Sequence, residues 1–138
     1  MDSILSIYLL APGLAWLAAQ VIKTVIALKK HEHLTVYEEF MRSGNMPSSH
    51  SSITVALLTV VGAREGLSSP EFGIAFVLTA VVLYDALNVR RAVGEQGLVL
   101  RMLAKDKIFF SAVGHRPVEV LAGSILGFMV AVFMLQIL

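Results

Sequence analysis

Arg42-Ser-Gly-Asn-Met-Pro-Ser-Ser-His50-Ser-Ser52 is the polar stretch from which the fold of this chain is best worked out. It contains five serines, one histidine and one arginine, and the apolar run Ile53–Val61 follows it directly. The pattern predicts a tight turn that leads into a helix, with Pro47 at or near the first helical position and the serines as caps. The start of such a helix leaves backbone N–H groups unpaired at the positive end of the dipole, which suits an anion. A well-capped helix in a surface turn, with no ligand, is the plainer interpretation.

The composition indicates an integral membrane protein. Of the 138 residues, 57% are hydrophobic and only 15% are charged, which is far from the balance of a soluble domain. The length suits a single domain, residues 1–138, and we find no repeat or linker. The chain has no cysteine, which excludes disulfides and thiolate metal sites. The net charge is +1, and we expect no nucleic-acid partner.

Four apolar segments have the character of membrane spans, for which roughly 20 apolar residues suffice. They are Ile4–Leu28, about Pro47–Ala63, Phe72–Val89, and the segment that follows Pro117 and ends at Leu138. The stretch Ala92–Phe110 mixes charged residues with leucines and phenylalanines, which is typical of an interfacial amphipathic helix. The sequence therefore predicts an all-α membrane bundle of four transmembrane helices plus one interfacial helix.

The last span carries Gly123 and Gly127, four residues apart on one helical face. Small residues with this spacing allow two membrane helices to approach closely. Glycine is also simply tolerated in membrane helices, so the pair does not by itself establish a contact.

Polar clusters lie at one end of each span. If the four spans alternate in direction, the clusters all fall on one side of the membrane: Gln20 and Lys23, Ser48–Ser51, Asp85–Arg91, and His115–Glu119. Ionisable residues inside a span are costly and are usually functional. We therefore predict one functional site at this end of the bundle.

Two histidines and one carboxylate suggest covalent chemistry at this site. Glu119 lies four residues after His115, so in a helix it would lie one turn further along the same face. Its carboxylate could then accept the Nδ1 proton of His115 and raise the nucleophilicity of the ring. His50 would protonate a departing oxygen as the general acid.

Basic side chains and the serine-rich helix start could hold a phosphate group. Guanidinium groups match phosphate oxygens in bidentate fashion, and an ammonium group supplies a point charge. The candidate phosphate-binding residues are Lys23, Arg42, Ser48, Ser49, Arg90 and Arg91, with Arg116 as a further cation and Asp85 as a further site residue.

Plainer roles for the basic residues stay open. Lys29-Lys30 and Arg90-Arg91 could be positive-inside anchors. Arg116 could extend its side chain to the lipid headgroups. His31-Glu32-His33 is a weak metal-binding pattern, and we predict no metal site.

The ion pairs and caps have structural interpretations as well. His115 and Glu119 could be no more than a capping pair at the start of the last span. Lys23 and Asp85 could pair with each other across the bundle, without any catalytic meaning.

Three strings of sequence resemble one known family. They are Gly44-Asn-Met-Pro-Ser-Ser-His50-Ser, Asp85-Ala-Leu-Asn-Val-Arg-Arg-Ala92 with Gly94-Glu-Gln96, and Gly114-His-Arg-Pro-Val-Glu119-Val. The family is the small, divergent bacterial and plant branch described as acid phosphatase/vanadium-dependent haloperoxidase-related, a relative of the type 2 phosphatidic acid phosphatases. The resemblance implies a phosphatase-like membrane domain over nearly the whole chain, with no metal or other cofactor.

In the larger superfamily, a P-S-G-H motif supplies the general-acid histidine, which falls on His50. A second motif, S-R-x5-H-x3-D, supplies the nucleophilic histidine and its orienting aspartate, which fall on His115 and Glu119. This chain departs from both motifs, because Ser49 replaces the glycine and glutamate replaces the aspartate. The Ser-Arg pair would fall on Ile108-Phe109, and no K-x6-R-P motif is present.

The sequence therefore predicts a membrane phosphatase that hydrolyses a lipid phosphate or pyrophosphate through a phosphohistidine on His115. The lipid tail would lie between the spans, among the membrane lipids. The alternative is a non-catalytic lipid-phosphate binder or small transport protein. The sequence leaves open which lipid is bound and the oligomeric state, a homodimer included.

The charge distribution predicts that the site faces the cytoplasm. Six basic residues that are not candidate phosphate ligands lie on the site side, namely Lys29, Lys30, Arg101, Lys105, Lys107 and Arg116, against Arg64 alone on the other side. Both termini should then lie outside the cytoplasmic membrane. A C-terminal fusion to a reporter that is active only in the cytoplasm should give no signal, and an active fusion would contradict this orientation.

Overall fold

The structure is a computed structural model that describes residues 6–29, 46–103 and 116–138, apart from the side chains of Arg91, Leu98 and Arg101. Its elements are α1 (Ile7–Lys29), α2 (Ser49–Arg64), α3 (Pro70–Tyr84), a π-helical segment (Asp85–Val89), α4 (Arg90–Leu103) and α5 (Pro117–Ile137). The described residues contain no strand. The predicted all-α class is therefore confirmed.

Helix α2 lies at the centre of the bundle. Helices α1, α3 and α5 all pack against it, and α1 also packs against α5. The core that they share consists mainly of alanines: Ala11, Ala15, Ala56, Val60 and Ala131. Because these side chains are short, the helix backbones can approach each other closely.

Contacts at the helix ends show that α1 and α2 run antiparallel. Lys23, in the last third of α1, contacts Ser49 at the start of α2. At the opposite end of the bundle, the hydroxyl of Tyr8 donates a hydrogen bond to Glu65, which follows α2. Gly66 has a φ of 88°, a left-handed conformation that favours glycine, and it begins the turn toward α3.

Helix α3 also runs antiparallel to α2. The ring of Phe72, near the start of α3, lies against Gly62 near the end of α2. Further along, the Thr79 hydroxyl donates to the backbone oxygen of Thr54 at 3.1 Å. The end of α3 and the π-helical segment therefore lie at the same end of the bundle as the start of α2.

The outer surface of the bundle is apolar. Helices α1, α3 and α5 carry large exposed apolar side chains along their lengths, including Leu17, Val25, Ile74, Val81, Phe128 and Phe133. A surface of this extent and character matches hydrocarbon as the solvent.

Among the described residues, three segments are long and apolar enough to cross a membrane: Ile7–Lys29, Pro70–Gly97 and Pro117–Ile137. Helix α2 is shorter, with 16 residues, or about 24 Å at 1.5 Å per residue. The four predicted spans therefore correspond to four bundle helices. Three of these have the length of a membrane span, and the fourth is enclosed by the other three.

The third predicted span and the described part of the predicted amphipathic helix form one continuous helix. We predicted a break between Phe72–Val89 and Ala92–Phe110, but the helix runs from Pro70 to Leu103 without one. The backbone N–H of Arg90 bonds to the oxygen of Asp85, five residues earlier, which is the π-helical pattern. Residues 104–110 of the predicted amphipathic helix lie outside the described part of the chain.

The first turn of α2 lies directly on two glycines of α5. A Cβ atom added to Gly123 would lie 3.0 Å from the carbonyl carbon of Ser48 and closer still to its oxygen. A Cβ atom on Gly127 would overlap the backbone of Ser52 in the same way. The close contact suggested by the glycine spacing is therefore confirmed, and both positions require glycine for steric reasons.

This contact can be tested by adding one methyl group. Gly123→Ala should lower the thermal stability of the purified protein in detergent, since overpacking against a backbone costs about 1–3 kcal/mol or more. Gly73→Ala is the matched control, because nothing lies within 4 Å of a Cβ atom at that exposed position of α3. The control should melt at or slightly above the wild-type temperature, and equal melting of both variants would contradict the proposed packing.

Candidate functional site

The start of α2 is capped by Ser48, as the sequence predicts. Ser48 has an extended backbone (φ −69°, ψ 114°), and its hydroxyl oxygen accepts from the Ser51 backbone N–H at 3.4 Å. The Ser51 hydroxyl donates to the same oxygen at 2.9 Å. Pro47 precedes this cap and lies two residues before Ser49, the first residue of the helix. The Met46–Pro47 peptide bond is cis.

The serines of this turn are part of the protein interior. Ser48, Ser51 and Ser52 are completely buried, and Ser49 is 6% exposed. The Ser52 hydroxyl donates to the backbone oxygen of Ser49 at 2.9 Å. A buried hydroxyl without a partner would be costly, so these bonds allow a polar turn to lie within an apolar bundle.

Lys23 brings a positive charge to this turn. Its side chain is 6% exposed, and its Nζ donates to the Ser49 hydroxyl at 3.4 Å. The predicted meeting of the end of α1 with the start of α2 is therefore present in the structure. Burying an ammonium group is costly, so its placement beside a helix start makes this turn a candidate anion site.

Glu119 connects the start of α5 to the start of α2. Its backbone oxygen accepts from the Ser48 N–H at 3.0 Å. Its carboxylate oxygen Oε2 accepts from the Arg116 N–H at 3.1 Å. Arginine has no side-chain acceptor, so only this half of a capping box can form. Glu119 therefore caps the start of α5, while the His115 half of the capping pair that we considered lies outside the described residues.

His50 is the second residue of α2 and is exposed at the end of the bundle. Its backbone oxygen accepts from the Thr54 hydroxyl at 3.1 Å. His115 lies outside the described residues, as does Arg42. The structure therefore places one of the two candidate histidines, at the same helix start as Lys23 and Ser49.

Asp85 and Arg90 form an ion pair with each other. The Arg90 Nε lies 2.8 Å from Asp85 Oδ2, and the two side chains are 37% and 39% exposed, respectively. The π-helical turn makes this pairing possible, because it aligns residues five apart along the helix. Such a half-exposed pair contributes little to stability, typically below about 1 kcal/mol.

The π-helical segment also contacts α5. The Asp85–Arg90 pair is thus carried by an element that packs on the helix of Glu119. Arg91 follows in α4, and its side chain lies outside the described residues.

Among the residues that are described, no cluster of three or more potential metal ligands occurs. The weak metal pattern at His31–His33 lies outside that part of the chain.

Sequence reasoning missed the role of Thr79. This hydroxyl, buried in an otherwise apolar helix, bonds to the backbone of both Ala75 and Thr54. It positions α3, and hence the π-helical segment, relative to α2. A lone threonine in an apolar span was the only signal in the sequence, and it does not reveal the partner.

Comparisons with known proteins agree with the motifs. A family model described as the Divergent PAP2 family matches residues 5–130. The uncharacterized membrane protein YuiD of Bacillus subtilis (strain 168) is 31% identical over 147 aligned positions, which cover 92% of this chain and 92% of that protein. No solved structure matches significantly. The resemblance that we drew from three strings of sequence is therefore confirmed.

The site should bind an oxyanion, and Lys23 should matter most among the described cations. We expect vanadate to bind to the purified protein. Lys23→Gln should weaken this binding by about tenfold or more, because hydrogen bonds to charged groups contribute roughly 1.5–3 kcal/mol. Lys29→Gln, an exposed position on the same helix, should change the affinity by no more than roughly twofold, since salt screens a surface charge. Calorimetry in detergent would measure both variants, and no vanadate binding by the wild type would rule out the site.

Proposed function

Because the chain belongs to the Divergent PAP2 family, we propose that it is a membrane phosphatase that hydrolyses a lipid phosphate or pyrophosphate. The observation that carries this proposal is the contact between Lys23 and Ser49 at the capped start of α2, beside the exposed His50. A buried cation and a helix N-terminus at one point favour an anion strongly. A histidine next to that anion can supply or accept a proton near neutral pH.

The proposed reaction has two steps. In the first, a ring nitrogen of His115 attacks the phosphorus atom, the bond from phosphorus to the leaving oxygen breaks, and His50 donates a proton to that oxygen. In the second, His50 takes a proton from water, the water oxygen attacks phosphorus, and the bond from phosphorus to His115 breaks. The products are inorganic phosphate and the dephosphorylated lipid when the substrate is a monophosphate.

Charge stabilisation would come from residues of three helices. Lys23 and Ser49 would contact the phosphoryl oxygens at the start of α2, together with the backbone N–H groups of that turn. Ser48 would act by holding the turn in shape, because its hydroxyl oxygen already accepts two hydrogen bonds. Arg42, Arg90 and Arg91 are the proposed guanidinium ligands.

Glu119 has a proposed catalytic role besides its cap. Its carboxylate would accept a hydrogen bond from the Nδ1–H of His115 and stabilise the positive charge that develops on the ring. Its backbone bond to Ser48 keeps the first turn of α5 beside the first turn of α2. The nucleophile and the general acid would therefore lie on neighbouring helix starts.

A second function is favoured by one observation from the sequence. The Ser-Arg pair of the superfamily's second motif falls on Ile108-Phe109, so a phosphate ligand that other members use is replaced by apolar residues. A protein with the anion site but no turnover would be a lipid-phosphate binder or a small transport protein. Release of inorganic phosphate from a panel of lipid phosphates separates this function from the enzyme.

The three proposed catalytic residues should differ in their effects. His115→Ala should abolish turnover, because it removes the group that accepts the phosphoryl unit. His50→Ala should reduce the rate by about 10²–10⁴-fold on a monoester, the usual contribution of general acid catalysis, and by less on a pyrophosphate, whose leaving group needs protonation less. Glu119→Gln should have an intermediate effect, since the amide can still hydrogen-bond but cannot stabilise the positive charge.

Phosphate release by each purified variant, on a lipid monophosphate and its matching pyrophosphate, provides the measurement. Glu119→Gln retains an oxygen that can accept from the Arg116 N–H, so its melting temperature should stay near that of the wild type. This control separates catalysis from capping. Near-normal turnover by His115→Ala would exclude the phosphohistidine mechanism.

A further inference from the structure

An apolar groove lies between α1 and α5, beside the start of α2. We call it the α1–α5 groove. Its volume is about 320 Å³, and the side chains that define its walls are Ile22 and Ile26 of α1, Pro47, and Ala122, Leu126 and Met129 of α5. This volume is at the lower end of the roughly 300–1,000 Å³ typical of small-ligand pockets.

The groove is adjacent to the proposed phosphate site. Ile22 immediately precedes Lys23, and Pro47 immediately precedes Ser48. On α5, Glu119 lies three residues before Ala122 and thus one turn beyond the groove, on the same face. An apolar groove that adjoins a buried cation and a helix start has the chemistry of an amphiphile with an anionic head.

We propose that the α1–α5 groove holds the hydrocarbon chain of a single-chain lipid phosphate, whose phosphate group lies at Lys23 and Ser49. This inference rests on the proposed function, and it names the substrate class. The residues that line the groove on α5 run from Ala122 to Met129, about 10 Å at 1.5 Å per residue. The groove would thus surround the part of one hydrocarbon chain that lies nearest the phosphate headgroup of the lipid.

The size of the groove is the reason for a single chain. Its length is about one third of the roughly 30 Å hydrocarbon core of a bilayer, and its volume is small. A lipid phosphate with two chains on a glycerol would place its second chain outside the groove. Prenyl and monoacyl phosphates share the required chemistry, which is one chain and one phosphate.

The groove would contribute orientation more than hydrophobic affinity. A lipid chain that enters it leaves one apolar environment for another, so close packing becomes the source of selectivity. The phosphate contact with Lys23 would supply the attraction. Tight binding would need both the chain in the groove and the phosphate at Lys23. This double requirement distinguishes a substrate site from a groove that any bilayer lipid can fill.

Filling the groove should affect lipid binding but not phosphate binding. In nanodiscs, geranylgeranyl phosphate and monoacyl lysophosphatidate are the single-chain probes, and dioleoyl phosphatidate is the two-chain probe. Ala122→Phe should weaken single-chain binding by about tenfold, because the ring occupies space that the chain requires. Inorganic phosphate should bind this variant as it binds the wild type. Ala80→Phe, at an exposed alanine of α3, is the matched control and should change neither affinity.

Two further arms compare ligands on the wild type. A single-chain probe should bind at least about tenfold more tightly than dioleoyl phosphatidate, a difference of about 1.4 kcal/mol. Geranylgeraniol, which lacks the phosphate, should bind far more weakly than its phosphate. Equal binding of the two-chain probe, or of the uncharged alcohol, would overturn the proposal, the latter because any bilayer lipid could then fill the groove.

A photoactivatable single-chain lipid phosphate gives a measurement that needs no variant. It should label the peptide that contains Ala122–Met129, and an equimolar amount of dioleoyl phosphatidate should reduce the labelling only slightly. Labelling confined to other helices, or unchanged lipid binding by Ala122→Phe, would overturn the groove assignment. Failure of the enzymatic proposal would look different, because lipid binding and labelling would persist without phosphate release.

Discussion

The contact between the backbone of α2 and the two glycines of α5 is the constraint on which the site depends. Ser48 is not yet helical, so its backbone N–H has no partner within α2, and it bonds to the Glu119 oxygen at 3.0 Å. In a membrane, a backbone group outside a helix must find its partner within the protein. Only glycine at position 123 lets the Ser48 peptide come close enough for this bond. The bond and the steric contact together fix how far along α5 the first turn of α2 lies.

That register places two helix N-termini side by side and pointing the same way. Both ends carry a partial positive charge, and the Lys23 ammonium lies at the start of α2. The carboxylate of Glu119 lies in the first turn of α5, where negative charge is favourable. The protein thus compensates one of the two helix ends with its own side chain. The start of α2 has no acidic residue in its first turn, and this asymmetry favours α2 as the end that would receive the proposed phosphate group.

The sequence predicts much of this arrangement, because long apolar segments and alternating direction leave few choices for a small membrane bundle. The Ser48 cap and the contact of Lys23 with the start of α2 both follow from that logic. The continuous helix through Asp85–Val89 was not predicted, since a π-helical turn depends on tertiary packing and leaves no local pattern. Pro47, predicted at or near the first helical position, lies two residues before Ser49, the first residue of α2. Proline is common in the first turn of a helix, but here Ser48 is the N-cap and Pro47 comes before it.

Glu119 shows why a structural role does not exclude a catalytic one. From the sequence, capping and orienting His115 look like competing explanations for a single carboxylate. In the structure, the cap uses Oε2 and the contact with α2 uses the backbone oxygen. An ionised carboxylate has two oxygens and about four acceptor positions, so a hydrogen bond from His115 is compatible with both. The cap also restricts the rotation of the carboxylate, which would lower the entropic cost of holding an imidazole in one orientation. The same bond that starts α5 would therefore preorganise His115, the proposed nucleophile.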